Sequence, residues 1–105
     1  MTDSFADLLL RHRARARVTQ RELATRAGAA PRSVQDWEAG AGYPSAERLR
    51  GLIAALLETG GLTAGHENEE AEALWTAVQR KALRMHAPFE STWFAGLLDA
   101  HPAAA

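Results

Sequence analysis

The 105-residue sequence predicts an all-α protein, with four short helices in residues 1–58 and two accessory helices in residues 59–105. Three observations predict it. Apolar residues recur at i, i+3, i+4 and i+7 in segment after segment, which places them on one face of a helix. Residues that start and stop helices fall in pairs along the first half, and no segment alternates apolar and polar residues with the period of two that a strand requires.

The first helix runs from about residue 4 to 16, with Phe5, Leu8, Leu9, His12 and Ala16 on its inner face. Arg11 and Arg15 flank that stripe on one side, Arg13 and Arg17 on the other. A second helix begins at Thr19, whose hydroxyl caps it while Glu22 completes a capping box; Leu23, Ala24 and Ala27 face inward and Gly28 ends it. Only Ala29 and Ala30 separate Gly28 from Pro31, so the next helix follows a tight turn. Pro31 suits the first helical position, where its missing N–H is no loss. Val34 and Trp37 face inward, and Gly40 closes the segment.

Ser45 caps a fourth helix carrying Leu49, Leu52, Ile53 and Leu56. Gly60, Gly61 and Gly65 mark a subdomain boundary. Asn68 with Glu69, Glu70 and Glu72 forms an acid-rich helix start, followed by a stripe of Ala71, Leu74, Trp75, Val78, Ala82 and Met85. After Pro88 a last helix starts with Glu90 as its cap and Phe89 and Phe94 as a hydrophobic staple; Trp93, Phe94, Leu97 and Leu98 are its buried set. The trailing HPAAA reads as a frayed end.

Composition narrows the function classes. At 47% hydrophobic residues, with three Trp and three Phe, the chain can bury a core. Without cysteine it has no disulfide, thiolate metal site or thiol nucleophile. No apolar run approaches the roughly 18 residues of a membrane span, and the opening MTDSFADLLLRHR reverses the charge order of a secretory signal, so a cytoplasmic protein is expected. The net charge of −1 hides an asymmetry: residues 1–57 carry nine arginines against six acids, a net +3, and residues 58–105 carry three basic residues against seven acids, a net −4. The four histidines are scattered, and only His66 with Glu67 and Glu69 makes even a crude metal cluster, so neither metal nor cofactor is expected. No nucleophile elbow, phosphate-cradling glycine loop or H-E-x-x-H occurs, which argues against an enzyme.

The segment VTQRELATRAGAAPRSVQDWEAGAGYPS resembles the core of the Xre and phage repressor (lambda Cro and repressor) helix-turn-helix family, through Thr19, Gln20, Glu22, Leu23 and Ala24, then Gly28, then Trp37, Glu38 and Gly40. The resemblance implies a four-helix repressor-like helix-turn-helix core whose third helix, about 31–39, reads the major groove of double-stranded DNA as a transcription regulator, with a homodimer as the form in which two half-sites are bound. With Val34 and Trp37 inward, helical geometry turns Arg32, Asp36 and, less squarely, Gln35 outward. Arg32 is suited to guanine and Gln35 to adenine; Asp36 is suited to a cytosine amino group or to excluding wrong sequences. The family places a phosphate contact at the start of its second helix, here Gln20, and Arg11, Arg15, Arg17 and Arg21 are phosphate candidates by charge. It also commonly pairs a first-helix arginine with the glutamate of W-E-x-G, which implies an ion pair between Arg13 and Glu38. Gly28, Val34 and Trp37 then serve the fold.

Three positions depart from the family pattern. Arg17 stands where a helix-ending Gly is usual, Ala30 where a Ser or Thr cap is usual, and Asp36 puts a negative charge on the reading face. The stretch from YPSAERLRG to STWFAGLL is similar to the N-terminal region of large bacterial signalling proteins with NACHT, NB-ARC or WD40 domains. That likeness implies an alternative, a protein-interaction or oligomerisation module within a larger polypeptide.

Overall fold

The computed structural model describes residues 3–82, 85 and 87–101; the trailing alanines lie outside that range, as does His86. Six helices follow one another: α1 (Phe5–Ala16), α2 (Gln20–Ala27), α3 (Pro31–Glu38), α4 (Ala46–Glu58), α5 (Glu67–Lys81) and α6 (Ser91–Asp99). There is no strand among the described residues, and no helix is long and apolar enough to cross a membrane.

Local chemistry sets most boundaries. Ser4 Oγ accepts from the Asp7 N–H at 3.1 Å, and Ser45 Oγ from the Arg48 N–H at 3.3 Å. At α2 the capping box is complete, with Thr19 Oγ1 accepting from the Glu22 N–H at 3.0 Å and Glu22 Oε1 from the Thr19 N–H at 3.1 Å. Such caps stabilise a helix by about 1 kcal/mol each. Helix α3 lacks one, because Ala30 has no side-chain acceptor. Helix α1 ends on Arg17 with φ 59°, a left-handed conformation in a non-glycine residue that costs about 1–2 kcal/mol.

One buried apolar cluster joins both halves of the chain. Leu9, Leu23, Val34, Leu49, Leu52, Ile53 and Leu56 meet Leu74, Trp75, Val78 and Phe94 in it. Close approach of α4 to α2 depends on Gly51, where a Cβ would lie 2.5 Å from the Ala27 carbonyl oxygen.

The C-terminal segment differs from expectation at four points, the first being that of Trp93, Phe94, Leu97 and Leu98 only Phe94 is buried, the other three packing at the edge of the core partly exposed. Helix α5 begins at Glu67, one residue before Asn68, and His66 at its N-cap makes no side-chain cap bond. It ends at Lys81, so Ala82 and Met85 lie beyond the helix. The cause is a fold-back of the chain, fixed by Trp75 Nε1 and Gln79 Nε2, which both donate to the Ala87 carbonyl at 2.9 Å. Glu90 occupies the N-cap of α6 without capping it, because its carboxylate turns to Arg50 at 3.4 Å. Phe89 and Phe94 pack with ring centroids 6.0 Å apart, the geometry of a staple. Arg50 lies 5.9 Å from the Trp75 ring and 5.6 Å from the Trp93 ring, so one α4 cation holds the aromatic residues of α5 and α6.

Two polar clusters position the helices. In the first, Arg13 donates Nε to Glu38 Oε2 at 2.5 Å and Nη2 to Oε1 at 3.0 Å, and Gln20 Nε2 adds a third bond to Oε1 at 2.9 Å. Arg13 Nη1 also reaches the Val18 carbonyl at 3.1 Å. The Glu38 side chain is 7% exposed and that of Arg13 21%, so the pair is largely shielded from water. In the second, His12 is buried under α1 with Nδ1 3.0 Å from the Gly61 carbonyl. Gly61 sits so close that a Cβ would meet the His12 carbonyl oxygen at 2.8 Å. Nearby, Glu70 accepts from the Thr63 N–H at 2.6 Å and its hydroxyl at 2.7 Å, and pairs with Arg15 at 3.4 Å.

These clusters make two predictions. Arg13→Ala leaves the Glu38 carboxylate unpaired in a largely dry site, a class of change that costs about 3–5 kcal/mol when fully buried, so a loss of about 3 kcal/mol is expected in urea unfolding. The second concerns pH. Burial pushes the His12 imidazole below its ordinary value near 6.5, aided by Arg15 and Arg11 and opposed by the Gly61 carbonyl and Glu70. Burial alone would raise the Glu70 carboxyl above its ordinary 4.5, but Thr63, with His12 and Arg15, holds it lower. The fold favours neutral His12, so its contribution is complete above about pH 6.5 and is lost as pH falls through the depressed value. Glu70 adds a second loss below about pH 4.5. The urea midpoint therefore decreases from pH 7 to pH 5, and His12→Gln flattens that decrease.

Candidate nucleic-acid interface

The turn between α2 and α3 is built for close packing. Gly28 adopts φ 72° at the end of α2, and the Ala29 N–H donates to the Ala24 carbonyl at 2.9 Å. Two residues later Pro31 starts α3, which buries Val34 and Trp37 against α1 and α2. Arg48, at the start of α4, donates its guanidinium to the Gly28 carbonyl and braces the turn from behind. Nothing local in the sequence announces that role, since the partner is a backbone oxygen 20 residues away.

With Val34 and Trp37 inward, Arg32 and Gln35 are exposed and Asp36 is half-buried. The order of Gln35 and Asp36 reverses the expectation from the helical wheel. After Gly40 the chain turns back, and the Ala41 N–H donates to the Asp36 carbonyl at 2.9 Å. Arg32 and Asp36 are not independent either: Arg32 Nε donates to Asp36 Oδ1 at 3.3 Å across one turn.

The flanking candidates divide. Arg17 and Arg21 are exposed and make no ion pair among the described residues. Arg11 pairs with Asp3 at 3.0 Å, with both side chains about half exposed, a contact worth at most about 1 kcal/mol. Arg15, a phosphate candidate by charge, instead turns to Glu70 and the Thr63 hydroxyl and belongs to the joint with the C-terminal segment. Gln20 donates one amide hydrogen to Glu38, which leaves its second for another acceptor. His66 lies 3.5 Å from Glu69, but Glu67 is buried and accepts from the Gly65 N–H at 2.8 Å, so the three do not converge.

The residues that the sequence left unassigned are Arg48 and Arg50. Both lie on α4, and both act on partners distant in the chain, the Gly28 carbonyl and the two tryptophans.

Comparison with known proteins agrees with this geometry. A family model described as helix-turn-helix matches residues 9–58, the span from α1 to the end of α4. No curated protein and no solved structure shows significant similarity to the chain. The matched span holds the capped second helix, the glycine turn and the third helix anchored by Val34 and Trp37. Residues 9–58 therefore form a Cro/C1-type helix-turn-helix domain, a member of the Xre and phage repressor family.

Proposed function

We propose that the chain binds double-stranded DNA sequence-specifically in the cytoplasm as a transcription regulator, with α3 lying in the major groove. One observation carries this reading. Helix α3 has its inner face fixed by Val34, Trp37 and the Glu38 cluster, while its outer face presents Arg32 and Gln35 to solvent with Asp36 beside them. A short helix held rigidly with polar hydrogen-bonding groups outward is the element that a major groove admits.

In this reading Arg32 and Gln35 contact base edges. Arg17, Arg21 and the second amide hydrogen of Gln20 contact phosphates, with Arg11 able to join them once its exposed pair with Asp3 opens. Two copies bind half-sites about one helical turn apart, as paired helices of this kind do. Helix α5 packs on α1 and α4, and the net negative charge of the segment after residue 58 opposes its taking part in DNA contact.

Random-oligonucleotide selection at two salt concentrations tests this. A single enriched motif is expected, with affinity falling steeply as salt rises. Arg32→Ala should relax the preference at one position, whereas Arg21→Ala should weaken all sequences alike and reduce the salt slope by about one. No enrichment, together with stable self-association in the absence of DNA, would replace this reading with an association module.

A further inference from the structure

A carboxylate on a surface that meets a polyanion needs a reason, and helix stability supplies little of one, since an exposed i,i+4 pair in this orientation adds only slightly to it. Helix dipoles favour acids in the first turn and bases in the last. Helix α3 has neither, and its pair runs the opposite way, with Arg32 second in the helix and Asp36 near its end. Fold packing does not supply the reason either, because the Arg32 side chain is 81% exposed and that of Asp36 46%.

The contact geometry does supply one. Asp36 engages Nε, the inner nitrogen of the guanidinium, and among the described residues Arg32 makes no other side-chain hydrogen bond. Its two terminal nitrogens are thus left as a fork. A guanine in the major groove offers the O6 and N7 acceptors that such a fork matches. An arginine already tethered one turn along its own helix also has less rotamer freedom to lose on binding.

We propose that Asp36 is a positioning residue that holds Arg32 for bidentate recognition of guanine, so that each half-site carries a guanine opposite Arg32. This inference rests on the DNA-binding reading. It assigns to Asp36 a role in specificity that is opposite in sign to its effect on general affinity: the carboxylate weakens attraction to any duplex and sharpens the choice of base.

Selection and equilibrium binding on wild type, Asp36→Ala, Arg32→Ala, Arg32→Lys and the Arg32→Ala/Asp36→Ala double variant test the proposal, with circular dichroism to verify folding. The wild type should prefer guanine at one position by about tenfold or more. Arg32→Ala should abolish that preference and Arg32→Lys should reduce it, since an ammonium reaches O6 and N7 but has no Nε for Asp36 to hold. Asp36→Ala should cut the same preference by at least about threefold, while affinity for random duplex stays equal or rises. The double variant should match Arg32→Ala at that position, because a tether has no effect once its arginine is gone.

An Asp36→Ala protein that binds every sequence more tightly with its guanine preference intact overturns the proposal and leaves Asp36 a repulsive group. A loss at a different base pair that persists without Arg32 also overturns it, by showing direct contact from Asp36. A wild-type protein with no sequence preference overturns the DNA-binding reading itself, and this inference with it.

Discussion

The Glu38 carboxylate is the constraint on which the placement of α3 depends. It sits at the end of α3 with its side chain 7% exposed, and a charge so placed is costly unless it is paired and hydrogen-bonded. Arg13 and Gln20 bring three donors to it from α1 and α2, so α3 is fixed relative to both. Apolar contacts of Val34 and Trp37 hold the helix down, but they are non-directional; the ion pair adds the directional element. The same arginine also explains the strained end of α1. Its carbonyl accepts the Arg17 N–H at 3.0 Å and its guanidinium reaches the Val18 carbonyl, so the left-handed residue is bracketed on both sides.

The accessory segment is integrated with this core rather than appended to it. Gly61 lies against the His12 carbonyl, and Thr63 and Glu70 bind the Arg15 side of α1. At the other end Arg50 lies against both Trp75 and Trp93 and pairs with Glu90. These contacts draw arginine side chains of the basic half toward the acidic half, so the +3 of the first 57 residues overstates the charge free for DNA. Among the described residues of that half, Arg17, Arg21 and Arg26 make no ion pair; the first two lie at the end of α1 and the start of α2, close in sequence to Gln20.

The legibility of the fold followed the range of each interaction. Thr19 with Glu22, Gly28 before Pro31, and the Val34 and Trp37 spacing are signals contained within a few residues, and all three are readable without a structure. The Arg13 and Glu38 pair spans 25 residues and was accessible only through the family resemblance. The end of α5 was misplaced because Ala82 and Met85 continue a helical stripe, whereas the fold-back is set by Trp75 and Gln79 reaching a carbonyl further along the chain. Charge alone nominated Arg15 for phosphate, since its partner Glu70 is 55 residues away. On the outer face of α3 the wheel identified Arg32, Gln35 and Asp36 but not the bond between the first and the last, which depends on rotamers.

In the proposed complex α3 and the start of α2 form the surface that meets DNA, and α6 takes no part. Amide chemical-shift mapping of the labelled protein, titrated with a duplex taken from selection, tests this most directly. The largest perturbations are expected at Gln20, Arg21 and Arg32 to Asp36, with α6 unmoved. Perturbations concentrated on α5 and α6, with α3 unchanged, would contradict it.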